Sequence, residues 1–221
     1  MTRKILVATT NRGKIAELRA LLEGDIRWLG LSDFKQIPEI EEDGQTFTQN
    51  ARKKALGYAK ACGLWTIADD SGLVIDALGG EPGVRSARFS EAVRNVSDSS
   101  TAAQRIIGKT KPADKSLIDL QNIQKVLKLM EGVPVEKRTA RFVCCICLAS
   151  PEKVLIETEG VFEGLIAEKA AGENGFGYDP IFFVPNLNKT VAELTSEEKN
   201  AISHRGSAIR KFKPLLDQLL S

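Results

Sequence analysis

Asp69 and Asp70 stand side by side in Ala68-Asp69-Asp70-Ser71-Gly72, between the apolar runs 64–68 and 73–78. Two adjacent carboxylates at a strand end are costly to bury without partners, and a hard divalent cation relieves that cost because it takes carboxylate oxygens. Gly72 permits a turn sharp enough to present both groups. A second acidic run, Glu39, Glu41, Glu42 and Asp43, offers a further oxygen ligand. Either segment taken alone fits a solvated acidic turn equally well.

Three other segments have the residue types of a small-molecule site. Thr9-Thr10-Asn11-Arg12-Gly13-Lys14 follows an apolar run and precedes a helical pattern. Free N–H groups at a helix N-terminus attract anions, Gly13 lets backbone approach a phosphate, and Lys14 adds a charge. The Walker glycines and Lys-Ser/Thr pair are absent, and a plain Asn or Thr cap accounts for the same residues. In Gly175-Phe176-Gly177-Tyr178-Asp179-Pro180, glycines leave a ring face open for stacking and Asp179 offers an acceptor for ring N–H groups; a tight turn around a core aromatic is the structural alternative. Ser203-His204-Arg205-Gly206 carries the only histidine, with Lys199 four residues before Ser203. One histidine cannot build a histidine-based metal site, and a lone helical histidine is more often packed or on the surface. No Gly-x-Ser-x-Gly elbow supports a Ser-His-Asp hydrolase.

The elements that must position these residues follow from patterning. Ile5–Ala8 reads as a buried strand, and Ile15, Leu18 and Leu22 give a helix from Lys14 that Gly24 closes. Ile26–Leu29 is the next strand, Glu39–Gly44 an acidic connector, and Thr46–Cys62 a helix with Gly63 as its C-cap. Leu64–Ala68 is expected to end at the acidic pair, and Leu73–Leu78 to resume as a separate strand before the turn Gly79–Gly83. Residues 90–116 give no clear pattern, and Ile118–Glu131 returns to helical spacing. Ala140–Ser150, Lys153–Glu159 and Val161–Glu168 read as consecutive strands broken at Pro151 and Gly160. Thr195-Ser-Glu-Glu198 is a capping box for a helix expected to run through His204 to about Phe212, with a break or kink near Pro214. The mixed order points to α/β or α+β with a mixed sheet.

Composition narrows the class. The chain has 221 residues and a formal net charge of only +2, which argues against a dedicated nucleic-acid surface. The opening Met-Thr-Arg-Lys followed by Ile5–Ala8 is too short for a signal core or a membrane span. Three of the four cysteines, Cys144, Cys145 and Cys147, crowd one apolar run; strand neighbours face opposite ways, so they read as core residues in a reducing cytoplasm.

In order along the chain, several runs together resemble the inosine triphosphate pyrophosphatase family, the XTP/dITP diphosphatases that remove deaminated purines from the nucleotide pool. They are Thr9–Lys14, Glu41–Gly44 with Thr46-Phe47 and Asn50-Ala51, Ala68–Gly72, Leu78–Gly83, Ser86–Phe89, Gly175–Phe183, and Ala192–Leu194 with Glu197–Gly206. The resemblance covers nearly the whole chain and is taken as one nucleotide pyrophosphatase domain over residues 1–221. It departs at Thr10, where the family usually has glycine, and at residues 91–120, which are longer and unmatched and receive no function.

The resemblance implies a two-lobed α/β fold, with a long mixed β-sheet flanked by helices and an active-site cleft between the lobes. It implies a cytoplasmic homodimer that needs Mg2+ and acts on neither nucleic acid nor membrane. The substrates would be ITP, dITP and XTP, cleaved to monophosphate and pyrophosphate. Thr9, Thr10, Asn11, Arg12, Gly13 and Lys14 would hold the triphosphate. Glu42 and Asp70 would bind the metal with Asp69 near it, and Asp70 would orient or deprotonate the attacking water. Phe176 would stack on the base, Gly177, Tyr178, Asp179, Lys199, His204 and Arg205 would line its pocket, and Ser71 would lie close to substrate. Two rivals are a Maf-like pyrophosphatase of other base specificity, against which Ser203-His204-Arg205 counts, and a non-catalytic nucleotide-binding protein, against which Asp69 and Asp70 count.

Overall fold

The computed structural model describes residues 3–9, 26–34, 36–90 and 112–221. Thr10 to Lys14, the helix expected from Lys14 to Gly24, and residues 91–111 lie outside the described residues. The described strands are β1 (Arg3–Val7), β2 (Ile26–Gly30), β3 (Trp65–Ile75), β4 (Thr139–Ala149), β5 (Val154–Ile166), β6 (Phe182–Val184) and β7 (Lys189–Thr190). The α-helices are α1 (Phe47–Cys62), α2 (Pro112–Leu129), α3 (Ser196–Ile202) and α4 (His204–Leu220). All seven strands form one mixed sheet in the order β2-β1-β3-β4-β5-β6-β7. β1 runs parallel to both β2 and β3, with Ile5 opposite Trp28 and Trp65, whereas β6 is antiparallel to β5 and β7. No described helix is long and apolar enough to cross a membrane.

The chain divides into two compact units. The first comprises Met1–Gly72, Arg141–Glu163 and Thr195–Ser221. Its core takes alternate residues from three strands, Ile5 and Val7, Ile67, and Cys144, Ile146 and Leu148, against Ala208, Ile209, Phe212 and Leu216 of α4. Period two on the strands and near-3.6 spacing on α4 are what one sheet face against one helix requires. Cys145, on the opposite face, has its thiol 3.3 Å from Thr48 Oγ1 of α1. The second unit comprises Leu73–Ala140 and Gly164–Leu194. There the buried Arg138 guanidinium donates to the carbonyls of Met130, Val133, Ile166 and Ala167, a buried cation satisfied by backbone oxygens.

Three expectations about breaks fail, each for a local reason. Asp69-Asp70-Ser71-Gly72 does not end a strand: β3 runs unbroken through it, because both carboxylates find partners there and need no turn to reach water. Gly160 does not separate two strands either, since β5 is continuous. A Cβ on Gly160 would lie 2.0 Å from the His204 carbonyl oxygen, so the glycine admits the first turn of α4 rather than a bend. The last helix breaks earlier than Pro214, which sits inside α4. The break is at Ser203, which is extended (φ −67°, ψ 158°), closes α3 and caps α4 by accepting from Gly206 N–H at 3.1 Å. Thr46 and Gly63 cap α1 as expected, and Thr195 with Glu198 forms the capping box of α3.

Candidate functional site

The residues that meet around the acidic pair all belong to the first unit. Neighbours on a strand face opposite ways, and the two aspartates accordingly have separate partners. Asp70, 7% exposed, accepts from Asn50 Nδ2 at 3.1 Å and from Ser71 N–H at 3.0 Å. The ammonium of Lys54 lies 3.8 Å from Asp70 and donates to Glu42 at 2.9 Å. One cation therefore already stands against both carboxylates, Glu42 and Asp70.

Helix α1 builds this arrangement. Thr46 starts it by accepting from Gln49 N–H, and its inward face carries Asn50, Ala51, Lys54, Ala55, Tyr58 and Ala59. Asn50 and Lys54, one turn apart, point the same way. The Asn50 amide is a bridge: it donates to Asp70 and accepts from Gly44 N–H at 2.7 Å, tying the acidic connector to β3. A Cβ on Gly44 would come within 2.6 Å of Asn50 Oδ1, so only glycine permits that approach. Burial alone would lower the pKa of Lys54, but Asp70, Asp69 and Glu42 more than offset it and hold the ammonium above its ordinary value.

Asp69, 2% exposed, is engaged by α4 instead. Arg205 Nη2 lies 3.3 Å from Asp69 Oδ2 and donates to Ser71 Oγ at 2.9 Å, while that hydroxyl is 3.3 Å from the same Asp69 oxygen. His204 and Arg205 are the first two residues of α4, and Lys199 lies in α3; all three are buried. The His204 ring stacks on Phe142 with centroids 4.9 Å apart and planes 18° from parallel.

Within the second unit, Tyr178 and Asp179 are buried and committed locally. Tyr178 donates to the Ser86 carbonyl at 2.8 Å, and burial raises its phenol pKa. Asp179 accepts from Phe176 N–H at 2.8 Å, closing the turn that Gly175 (φ 79°) allows. Gly177 N–H donates to Asp119 at 3.2 Å, and Phe176 keeps its ring half-buried. Thr9, also half-buried, is the one described member of the Thr9–Lys14 set.

Lys54 was not among the residues singled out from sequence, and Asn50 carried no role there. Their signal was present: two polar residues one turn apart on the small-residue face of a helix. Among the described residues, no three of His, Cys, Asp and Glu converge as a ready-made metal cluster. A cavity of about 140 Å³ is lined by Thr48 and Ala51 of α1 and by Cys145, Cys147 and Glu159. Burial pushes both thiols up to about 12, so neither is a nucleophile at neutral pH.

Comparison with known proteins agrees along the whole chain. The model of the Ham1 family matches residues 5–215. A dITP/XTP pyrophosphatase of Shouchella clausii is 45% identical over 214 residues, 97% of this chain and 96% of that protein. Another, of Geobacter sulfurreducens, is 45% identical, with 96% of each chain covered. The solved HAM1 protein of Coxiella burnetii superposes with a TM-score of 0.80 at 39% identity, covering 98% of this chain and all of that one (100%). The Staphylococcus aureus Ham1 protein gives a TM-score of 0.79 at 38% identity, covering 98% of this chain and 99% of that one.

Proposed function

The chain belongs to the Ham1 family, and from that membership we propose that it hydrolyses non-standard purine nucleoside triphosphates, ITP, dITP and XTP, to the monophosphate and pyrophosphate. The observation that carries this reading is the buried carboxylate of Asp70, held by Asn50 and facing Lys54, whose ammonium also pairs with Glu42. Glu42 and Asp70 stand about a single ammonium, so they are close enough to share one cation, and their oxygens suit a hard one. They would hold magnesium, which would supply charge neutralisation for the phosphates.

The chain's own residues do the rest. Asp70, oriented by two N–H donors, positions a water and takes its proton as the water attacks the α-phosphorus. The α–β anhydride bond then breaks and pyrophosphate leaves. Lys54 offsets charge on the phosphates next to that carboxylate, and Thr9, Thr10, Asn11, Arg12, Gly13 and Lys14 hold the triphosphate. Phosphoryl transfer depends on position and charge more than on covalent help. Lys199, His204 and Arg205 present donors to a 6-oxo purine, and Phe176 supplies a ring for stacking. The same reading includes a homodimer in the cytoplasm, supported by the family resemblance. Phosphorus NMR of ITP incubated with the protein and magnesium tests the reaction. Inosine monophosphate and pyrophosphate are the expected first products; diphosphate and orthophosphate would overturn the proposal.

A further inference from the structure

Asp69 and Arg205 are 2% and 1% exposed, and their contact spans 136 residues of sequence. Arg205 is the second residue of α4, a helix of 17 residues. The start of a helix carries partial positive charge, so a cation there is disfavoured, and burying it without a counter-charge is costlier still. Stability alone would place an acidic or neutral residue at that position. Asp69 supplies a counter-charge there: one guanidinium nitrogen of Arg205 lies 3.3 Å from its carboxylate and donates at 2.9 Å to Ser71 Oγ. Ser71 in turn touches the same carboxylate oxygen, giving a closed triangle of three side chains. An arginine anchored at one end has its plane set, and a planar donor with a set plane can discriminate between acceptors.

We infer that Asp69 is a positioning residue: it neutralises and aims Arg205, and through Arg205 sets the preference for a base with a carbonyl oxygen at position 6 over one with an amino group there. This rests on the proposed reaction. It separates Asp69 from its neighbour Asp70, which faces Lys54 and Asn50. Asp69 acts on base choice through its contact with Arg205.

The test uses the full chain with three variants, Asp69→Asn, Arg205→Ala and the double variant. The ratio of kcat/KM for ITP to that for ATP is expected to fall about tenfold in each single variant and no further in the double. The magnesium concentration for half-maximal rate is expected to stay at its wild-type value in Asp69→Asn. In parallel, the Arg205 Nε–Hε signal, assigned by its absence from Arg205→Ala, is expected to shift and broaden in Asp69→Asn. A folded Asp69→Asn with wild-type discrimination, losses that multiply in the double variant, or a several-fold rise in the magnesium requirement would each overturn the inference. If Asp69→Asn does not fold, Ser71→Ala removes one side of the triangle and should lower the same ratio by a smaller factor; an unchanged ratio would count against the role. Should the wild type not distinguish ITP from ATP, the functional reading fails, and the NMR signal decides the anchoring: unchanged in Asp69→Asn, it overturns it.

Discussion

Two carboxylates one residue apart on β3 lead different lives. Asp69 meets the Arg205 guanidinium, at the start of a helix that packs on one face of the sheet, and the Ser71 hydroxyl. Asp70 meets an amide and an ammonium from a different helix, with Glu42 beside the same ammonium. The alternation of a strand is sufficient cause: adjacent side chains point to opposite faces, so each meets the element packed there. The lesson is that adjacency in sequence did not mean a shared task. One side is a buried ion pair; the other is a pair of oxygen donors about a cation, a donor set that suits a hard divalent ion.

Breaking the Asp70 side should have the largest effect. Asp70→Asn keeps volume and one acceptor but removes the charge, and kcat should drop by at least about a hundredfold, with an unchanged circular dichroism spectrum. Near-normal turnover in a folded variant would remove Asp70 from the chemistry. Lys54→Met should come next. It leaves Glu42 and Asp70 without their shared ammonium, and stability without added metal should fall by about 3 kcal/mol, the scale for breaking a buried pair. Magnesium should then raise the melting temperature of this variant more than that of the wild type, because the cation replaces a lost charge. The pH dependence has a definite sign. The fold raises the Lys54 pKa, since Asp70, Asp69 and Glu42 outweigh the opposing effect of burial. Its stabilisation is therefore complete below the unfolded lysine value of about 10.4 and fades as pH climbs through the higher folded one. Alkaline denaturation scans should show that loss in the wild type and lack it in Lys54→Met.

Changes on the Asp69 side should be smaller and of another kind. Arg205→Ala should lower kcat/KM for ITP about tenfold more than for ATP; equal losses would mean that Arg205 does not read the base. Gly160→Ala is the mildest probe. Its new Cβ would press on the His204 carbonyl, 2.0 Å away in the present packing, and on Ala208 N at 2.5 Å. Displacing the first turn of α4 should cost about 1–3 kcal/mol and narrow the ITP-to-ATP gap, while the half-saturating magnesium concentration stays put. A change in the magnesium requirement instead would show that the two faces of β3 are coupled.

Much of the architecture is legible without coordinates. Apolar runs locate β1, β2 and β4, the Thr46 and Gly63 caps bound α1, and the Thr195–Glu198 capping box marks the start of α3. These signals are local: each depends on hydrogen bonds and side-chain periodicity within a few residues. The order of motifs was also enough to identify the family, because residue types at fixed spacings are a property of the chain itself. Gly160 and Asp69–Gly72 misled for one reason. Glycine and paired acids signal turns when water is the alternative partner, but here a helix carbonyl fits against the glycine and Arg205, Asn50 and Lys54 meet the acids. Those partners come from as far as 136 residues away, and no local rule contains them. Local patterning sufficed for most element positions, for the family and for the reactive residue types, but not for the continuity of β3 and β5 or for where the last two helices are interrupted. The pairing of Asp69 with Arg205, of Asp70 with Lys54, and of Asn50 with both the acidic connector and β3 follows from the packing alone, because the identity of a buried charge's partner depends on which elements the chain brings against each face of the sheet.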